Sequence, residues 1–116
     1  MTFTKVNISG QIIHTSKSTL LQIPYFKKRF NYCESDEKEK YIGDTDNEGN
    51  IFVDRSYDIF KCILRYIKYG KKYIKLMISE KLTLSDMYLL QSDAEYYDLD
   101  TLSDIVQTVI NVYYDI

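Results

Sequence analysis

Residues 49–70 read GNIFVDRSYDIFKCILRYIKYG, and the change of pattern inside this stretch sets the fold class. Gly49-Asn50 is a turn signal, and Ile51, Phe52 and Val53 form a short apolar, β-prone run of the kind buried in a sheet. Asp54 or Ser56 can then accept a hydrogen bond from a free backbone N–H, and Asp58 adds negative charge to a first helical turn. Phe60, Ile63, Leu64 and Ile67 follow at the spacing of one buried helical face, while Lys61, Arg65 and Lys68 fall on the other side. Ile59 and Tyr66 sit at the margin of that stripe, and Gly70 is placed to stop the helix as a left-handed cap. A strand feeding directly into an amphipathic helix predicts a mixed α+β fold.

Upstream, Lys5 to Ser9 and Gln11 to His14 are two β-prone runs around Gly10, which predicts a hairpin. Val6 and Ile8 share one face of the first run, and Ile12 and His14 one face of the second, with Ile13 opposite. Thr15 or Ser16 can cap a short helix carrying Leu20 and Leu21, and Pro24 limits its extent. A second short helix is expected over Tyr25 to Asn31, with Tyr25, Phe26 and Phe30 inward and Lys27, Lys28 and Arg29 in water.

Residues 34–48 hold seven acidic residues against Lys38 and Lys40, a net charge of −5, with little apolar content. That composition predicts a mobile loop. Asp44 to Gly49 imitates the start of an EF-hand calcium loop, but its twelfth position is Arg55 where a bidentate Glu is required, so calcium is not expected. After Gly70, Lys71 to Ile78 alternates loosely and reads as a short strand or extended linker. Thr83 or Ser85 then caps a helix with Asp86 in its first turn and Met87, Leu90, Ala94 and Tyr97 at helical spacing. A final helix from Asp100 or Thr101 carries Leu102, Ile105, Val106, Val109, Ile110 and Tyr113 on one face, the cleanest amphipathic stripe in the chain.

Three groups of these residues resemble BTB/POZ domains, in particular the branch of potassium-channel tetramerisation domains and their KCTD relatives. The central group is Phe52, Asp54, Arg55, Phe60, Ile63, Leu64, Tyr66, Ile67 and Gly70. The first is Val6 to Gly10, Thr19-Leu20 and Pro24-Tyr25-Phe26 followed by Phe30. The last is Leu89 to Leu99, similar to the family's LLxEAxYYxL, with Ser92-Asp93 altering the usual acidic pair. Ser9-Gly10 replaces a frequent glycine pair, and Ile13 stands where an aromatic residue is common. The resemblance spans Val6 to Leu102 and implies a BTB/POZ fold over residues 1–116 as a single domain: a small β-sheet covered by a cluster of α-helices.

Composition narrows the function classes. At 116 residues with 45% hydrophobic and 28% charged content, the chain suits one globular core and leaves no room for a second. Cys33 and Cys62 do not make a disulfide framework or a CxxC pair, so an intracellular, reducing setting is expected, cytoplasmic or nuclear. The opening residues are too short and polar for a signal peptide, and no apolar run reaches membrane-spanning length. Asn7-Ile8-Ser9 matches a glycosylation acceptor but reads as strand.

Catalysis finds little support. His14 is the only histidine and no acid-base or nucleophile constellation surrounds it. Gly10, Gly43, Gly49 and Gly70 form neither a phosphate loop nor a dinucleotide fingerprint, so no cofactor is expected. Some tetramerisation domains hold zinc through a His and clustered cysteines; His14, Cys33 and Cys62 lack that cluster, and Cys62 reads as a small buried or half-buried hydrophobe.

Charge is strongly segregated: residues 61–75 carry net +6 with no acid, and residues 93–116 carry net −6 with no base. Such patches can orient copies of the chain or a partner, or remain two solvated faces that never meet. Three functions follow. By resemblance, the chain is a non-enzymatic interaction module that homo-oligomerises or serves as an adaptor for a cullin scaffold of ubiquitin ligases; with no substrate-recruiting domain after Ile116, a stand-alone decoy on that scaffold is the variant. The third is nucleic-acid binding, in which Tyr66, Tyr69 and Tyr73 stack bases beside lysines; the net charge of −2 argues against it. The candidate partner-binding residues are Tyr25, Phe26, Arg29, Tyr66, Lys68 and Tyr69.

Overall fold

The computed structural model describes residues 3–33 and 38–114, with side chains described for 3–30 and 40–112. It is a mixed α+β structure with two compact units, Met1–Tyr57 and Asp58–Ile116.

In the first unit, β1 (Phe3–Ile8) and β2 (Gln11–Ser16) form the expected antiparallel hairpin, with Val6 opposite Ile13. Ser9 and Gly10 both have positive φ, 50° and 101°, the signature of a two-residue type I′ turn. Ser9 tolerates this backbone because its surroundings hold it. Its N–H donates to the Val53 carbonyl at 2.9 Å, and its hydroxyl lies 2.8 Å from Asp54 Oδ1 and 2.9 Å from the Arg55 carbonyl. The Gly10 N–H donates to Asn7 Oδ1 at 2.7 Å. The strand β5 (Ile51–Val53) joins the other edge of β1 in parallel, giving the order β2-β1-β5. Val6, Ile8, Ile13, Thr15, Ile51 and Val53 are buried on one face; Lys5, Ile12 and His14 lie on the exposed side, as the period of two requires.

Ser16 caps α1 (Lys17–Leu20), its hydroxyl accepting from the Thr19 N–H at 3.1 Å. The next helix, α2 (Pro24–Lys27), starts with Pro at its first position but ends earlier than the Tyr25 to Asn31 expectation. Phe30 is instead the first residue of β3 (Phe30–Cys33), which pairs antiparallel with β4 (Lys38–Tyr41). Hence Lys38 to Tyr41, expected in a loop, is strand. Pairing with the neighbouring strand supplies backbone partners even to polar residues, so side-chain composition alone misses it. Residues 34–37 of that expected loop lie outside the described residues.

The imitation calcium loop has a structural role. Asp46 accepts from Asn7 Nδ2 at 2.8 Å, from the Glu48 and Asn50 N–H groups at 2.9 Å each, and from Asn50 Nδ2 at 3.2 Å. Its carboxylate therefore organises the turn that delivers the chain into β5. The Asn7 hydrogen bond, reinforced by those from Asn50 and Glu48 and opposed by desolvation, holds its pKa below the ordinary 3.8. A lowered folded-state pKa means stability that is present above pH 3.8 and lost as the pH falls through the folded value. The urea midpoint of Asp46→Ala should lie below that of the parent by a constant margin near neutral pH, and the margin should narrow below pH 3.8; a margin independent of pH would show that the carboxylate charge contributes nothing.

The second unit is helical: α3 (Tyr57–Tyr69, whose first residue closes the first unit), α4 (Lys71–Glu80), α5 (Leu84–Tyr96) and α6 (Asp100–Tyr114). The buried face of α3 is Ile59, Phe60, Cys62 and Ile63, so the stripe is rotated from its expected position and Leu64 and Ile67 are only half-buried. Gly70 does end α3, but its φ of 83° and ψ of −164° put it in the extended positive-φ region and not in the left-handed helical cap. Directly after it, Lys71 to Ile78, read as strand or linker, is helical in α4. Ile74 and Ile78, one turn apart, are the buried pair that anchors it.

Thr83 caps α5 in a reciprocal box with Asp86: Asp86 N–H donates to the Thr83 hydroxyl at 3.1 Å and Thr83 N–H to Asp86 Oδ2 at 3.0 Å. Met87, Leu90, Ala94 and Tyr97 are all buried, as their spacing predicts. Asp98, at φ 61°, then turns the chain. The Leu99 N–H reaches the Ala94 carbonyl at 2.8 Å and the Asp98 N–H reaches that of Glu95 at 3.1 Å, a Schellman closure with Leu99 buried behind it. The Tyr96-Tyr97-Asp98-Leu99 motif is thus a helix stop that also plants Tyr97 in the core, its ring 5.5 Å from that of Phe60. In α6, Leu102, Val106 and Ile110 are buried, while Ile105 and Val109 form a second, half-buried row.

Candidate interaction surfaces

The six predicted contact residues divide between the two units. Tyr25 and Phe26 lie in the core of the first, Phe26 with no exposed surface, so a partner cannot reach those rings directly. Burial wins because α2 is one turn long and must sink its only aromatic pair to be held; the two rings meet edge to face at 5.1 Å. Arg29 is half-exposed. Its guanidinium stacks on the Tyr25 ring at 3.6 Å and its Nη1 donates to the Tyr25 carbonyl at 2.8 Å, which fixes a positive charge at the surface in one orientation.

On α3, Tyr66 is half-buried, and Lys68 and Tyr69 are exposed, with the Lys68 ammonium 5.3 Å from the Tyr69 ring centre. Burial raises the Tyr66 phenol above its ordinary value. Tyr69 pairs with Tyr73 at 6.1 Å, and the Tyr73 hydroxyl is buried. The three tyrosines do not form a row of open rings on which successive bases could stack. Cys62 is buried and free; burial pushes its thiol up, against the opposing pull of the Arg65 charge and the Tyr73 hydroxyl, so it behaves as a small hydrophobe.

Sequence reasoning identified the charged segments but not their meeting point. Lys71 and Lys75, one turn apart on α4, line the same cleft as Asp104 on α6, so the basic and acidic runs share a site within the helical unit. The cleft has a volume of about 330 Å³ and is floored by Ile105 and Val109, with Thr101 and Thr108 completing the α6 wall. The α6 residues fall at the positions of one helical stripe, next to the fully buried Leu102, Val106 and Ile110 row. The pairing of Ile105 with Val109 beside Leu102, Val106 and Ile110 in that stripe was the available signal. The helical unit also leaves large apolar side chains exposed, among them Tyr69, Leu76, Leu89 and Val112. Among the described residues there is no cluster of three potential metal ligands, and no helix is long and apolar enough to cross a membrane.

The chain matches the model of the BTB/POZ domain over residues 4–108. It is 32% identical over 101 residues to the potassium channel regulatory protein of Homo sapiens, covering 87% of this chain and 33% of that protein. The potassium channel regulatory protein of Mus musculus is 31% identical over 101 residues, with 87% and 34% covered. The chain spans about a third of the length of these relatives.

Proposed function

Because the chain belongs to the BTB/POZ family, we propose that it is a non-enzymatic protein–protein interaction module that assembles with copies of itself. The observation that carries this reading is the family match, which runs from residue 4 to residue 108 and so takes in β1 through most of α6. Physical support comes from the exposed apolar side chains and opposite charges of the helical unit, which suit recognition between proteins. Arg29, Tyr66, Lys68 and Tyr69 are the proposed contacts, with Tyr25 and Phe26 acting from the core to hold Arg29 in place. The setting is intracellular.

Light scattering over a range of protein and salt concentrations tests this reading. The expected result is a stable multiple of the 13.8 kDa chain mass, decreasing at high salt to the extent that charge complementarity holds the assembly together. A monomer at every concentration would overturn self-assembly.

A finer reading is an adaptor, or a decoy, on a cullin scaffold; it rests on the family alone, and retention by an immobilised cullin N-terminal domain is its test. The relatives' name makes potassium-channel subunits a second partner class for the same assay. Nucleic-acid binding has less support, since Tyr73 packs on Tyr69 and Asp104 shares the cleft with the lysines.

A further inference from the structure

The cleft between α4 and α6 is chemically two-sided. Lys71 and Lys75 give one wall two ammonium groups, Asp104 gives the other a carboxylate, and Ile105 and Val109 form an apolar floor. Lys71, Lys75 and Asp104 are exposed, whereas Ile105 and Val109 are half-buried, so a polar rim surrounds an apolar centre. That is the anatomy of a protein contact and not of a cofactor pocket, where polar groups converge inside the cavity. Its volume of about 330 Å³ is at the lower end for ligand sites, enough for one or two side chains. Phosphate-rich ligands are disfavoured by Asp104, and among the described residues no aromatic ring lines the cleft to stack a base.

We propose that this cleft binds a short peptide segment of a partner protein in which aliphatic side chains sit between an acidic and a basic residue. The aliphatic group covers Ile105 and Val109, the acidic residue faces Lys71 and Lys75, and the basic residue faces Asp104. The opposed walls set specificity: an all-acidic segment meets Asp104 and an all-basic one meets the lysines, each a like-charge contact that a mixed segment avoids. The inference rests on the reading of the chain as an interaction module, but not on self-assembly.

The test is amide-resolved NMR titration of the full chain with three blocked peptides: Glu-Glu-Leu-Leu-Lys-Lys, Glu-Glu-Leu-Leu-Glu-Glu and Lys-Lys-Leu-Leu-Lys-Lys. The mixed peptide is expected to shift amides of α4 and α6 around the cleft and to bind about tenfold more tightly than the all-basic one. Lys71→Glu with Lys75→Glu should transfer the preference to the all-basic peptide, and Asp104→Lys should transfer it to the all-acidic one. These side chains are exposed, and the dispersion of each variant's spectrum reports its folding independently.

No shift at the cleft with millimolar peptide would overturn the proposal. So would equal binding after Leu is replaced by Ser in the peptide, or a preference unmoved by charge reversal. Cleft shifts that grow with protein concentration alone would assign the site to a second copy, and a stronger response to oligouridine would assign it to nucleic acid; either overturns a peptide site. A chain that oligomerises yet ignores all three peptides defeats this inference alone, whereas a monomer that binds the mixed peptide defeats only self-assembly.

Discussion

Replacing Phe60 with Ala is expected to lower the unfolding free energy by about 3–5 kcal/mol, a large share of the roughly 5–15 kcal/mol available to a domain of this kind. Phe60 has no exposed surface and its ring packs on Tyr97, itself fully buried at the end of α5, so truncation leaves a cavity shared by two helices. The rotated face of α3 makes the comparison sharper. Ile59→Ala should cost about 2–4 kcal/mol, and Leu64→Ala, half-buried, only about 1–2 kcal/mol. Guanidinium unfolding at one fixed protein concentration separates these values from the contribution of self-association. If Leu64→Ala proves the more costly of the aliphatic pair, the buried face of α3 is the one that simple periodicity predicts. Where Phe60→Ala does not fold, Phe60→Leu gives a smaller loss in the same direction.

Gly70→Ala is expected to cost about 1–3 kcal/mol through backbone strain alone. A Cβ built on Gly70 meets nothing within 4 Å, so no steric contact explains the loss; the requirement is the φ of 83° with ψ of −164°, a conformation that glycine alone adopts readily. This one residue separates α3 from α4 and sets where Lys71 and Lys75 project. The expected signature is a lower denaturation midpoint with an unchanged denaturant slope. An alanine tolerated without loss would mean that the α3–α4 junction adopts another backbone geometry.

The residues that announced themselves were those whose local chemistry is complete. Thr83 and Asp86 form their box within four residues, and the Met87, Leu90, Ala94 and Tyr97 series needs no outside partner to reveal its period. The β1–β2 hairpin was legible for the same reason, its turn being written in Ser9-Gly10. What escaped notice depends on backbone pairing that side-chain composition does not report, or on a weak period. The strand β4 is polar and acquires its identity from β3, and α4 is anchored by just Ile74 and Ile78 within a lysine-rich run that also alternates. Of the candidate site, the charge segregation was visible; its convergence was not, because Lys71 and Lys75 come within one turn of each other only once α4 is a helix, whereas a strand would set them about twice as far apart. Tyr25 and Phe26 lie inward, as the reading of their segment expects, which leaves Arg29 as the accessible candidate contact of that segment.

The placement of β1 between β2 and β5 has a kinetic meaning. The hairpin partner of β1 arrives at once, whereas Val6 to Ile8 must wait for Ile51 to Val53, after every intervening element of the first unit has been made. Hairpins close in about 1–10 μs, but joining segments this far apart carries a loop-closure entropy that β5, only three residues long, recovers slowly. During that interval the open edge of β1 offers backbone donors and acceptors to any extended strand nearby. On the ribosome, β5 is therefore both the final piece of the sheet and the guard against its pairing with another chain.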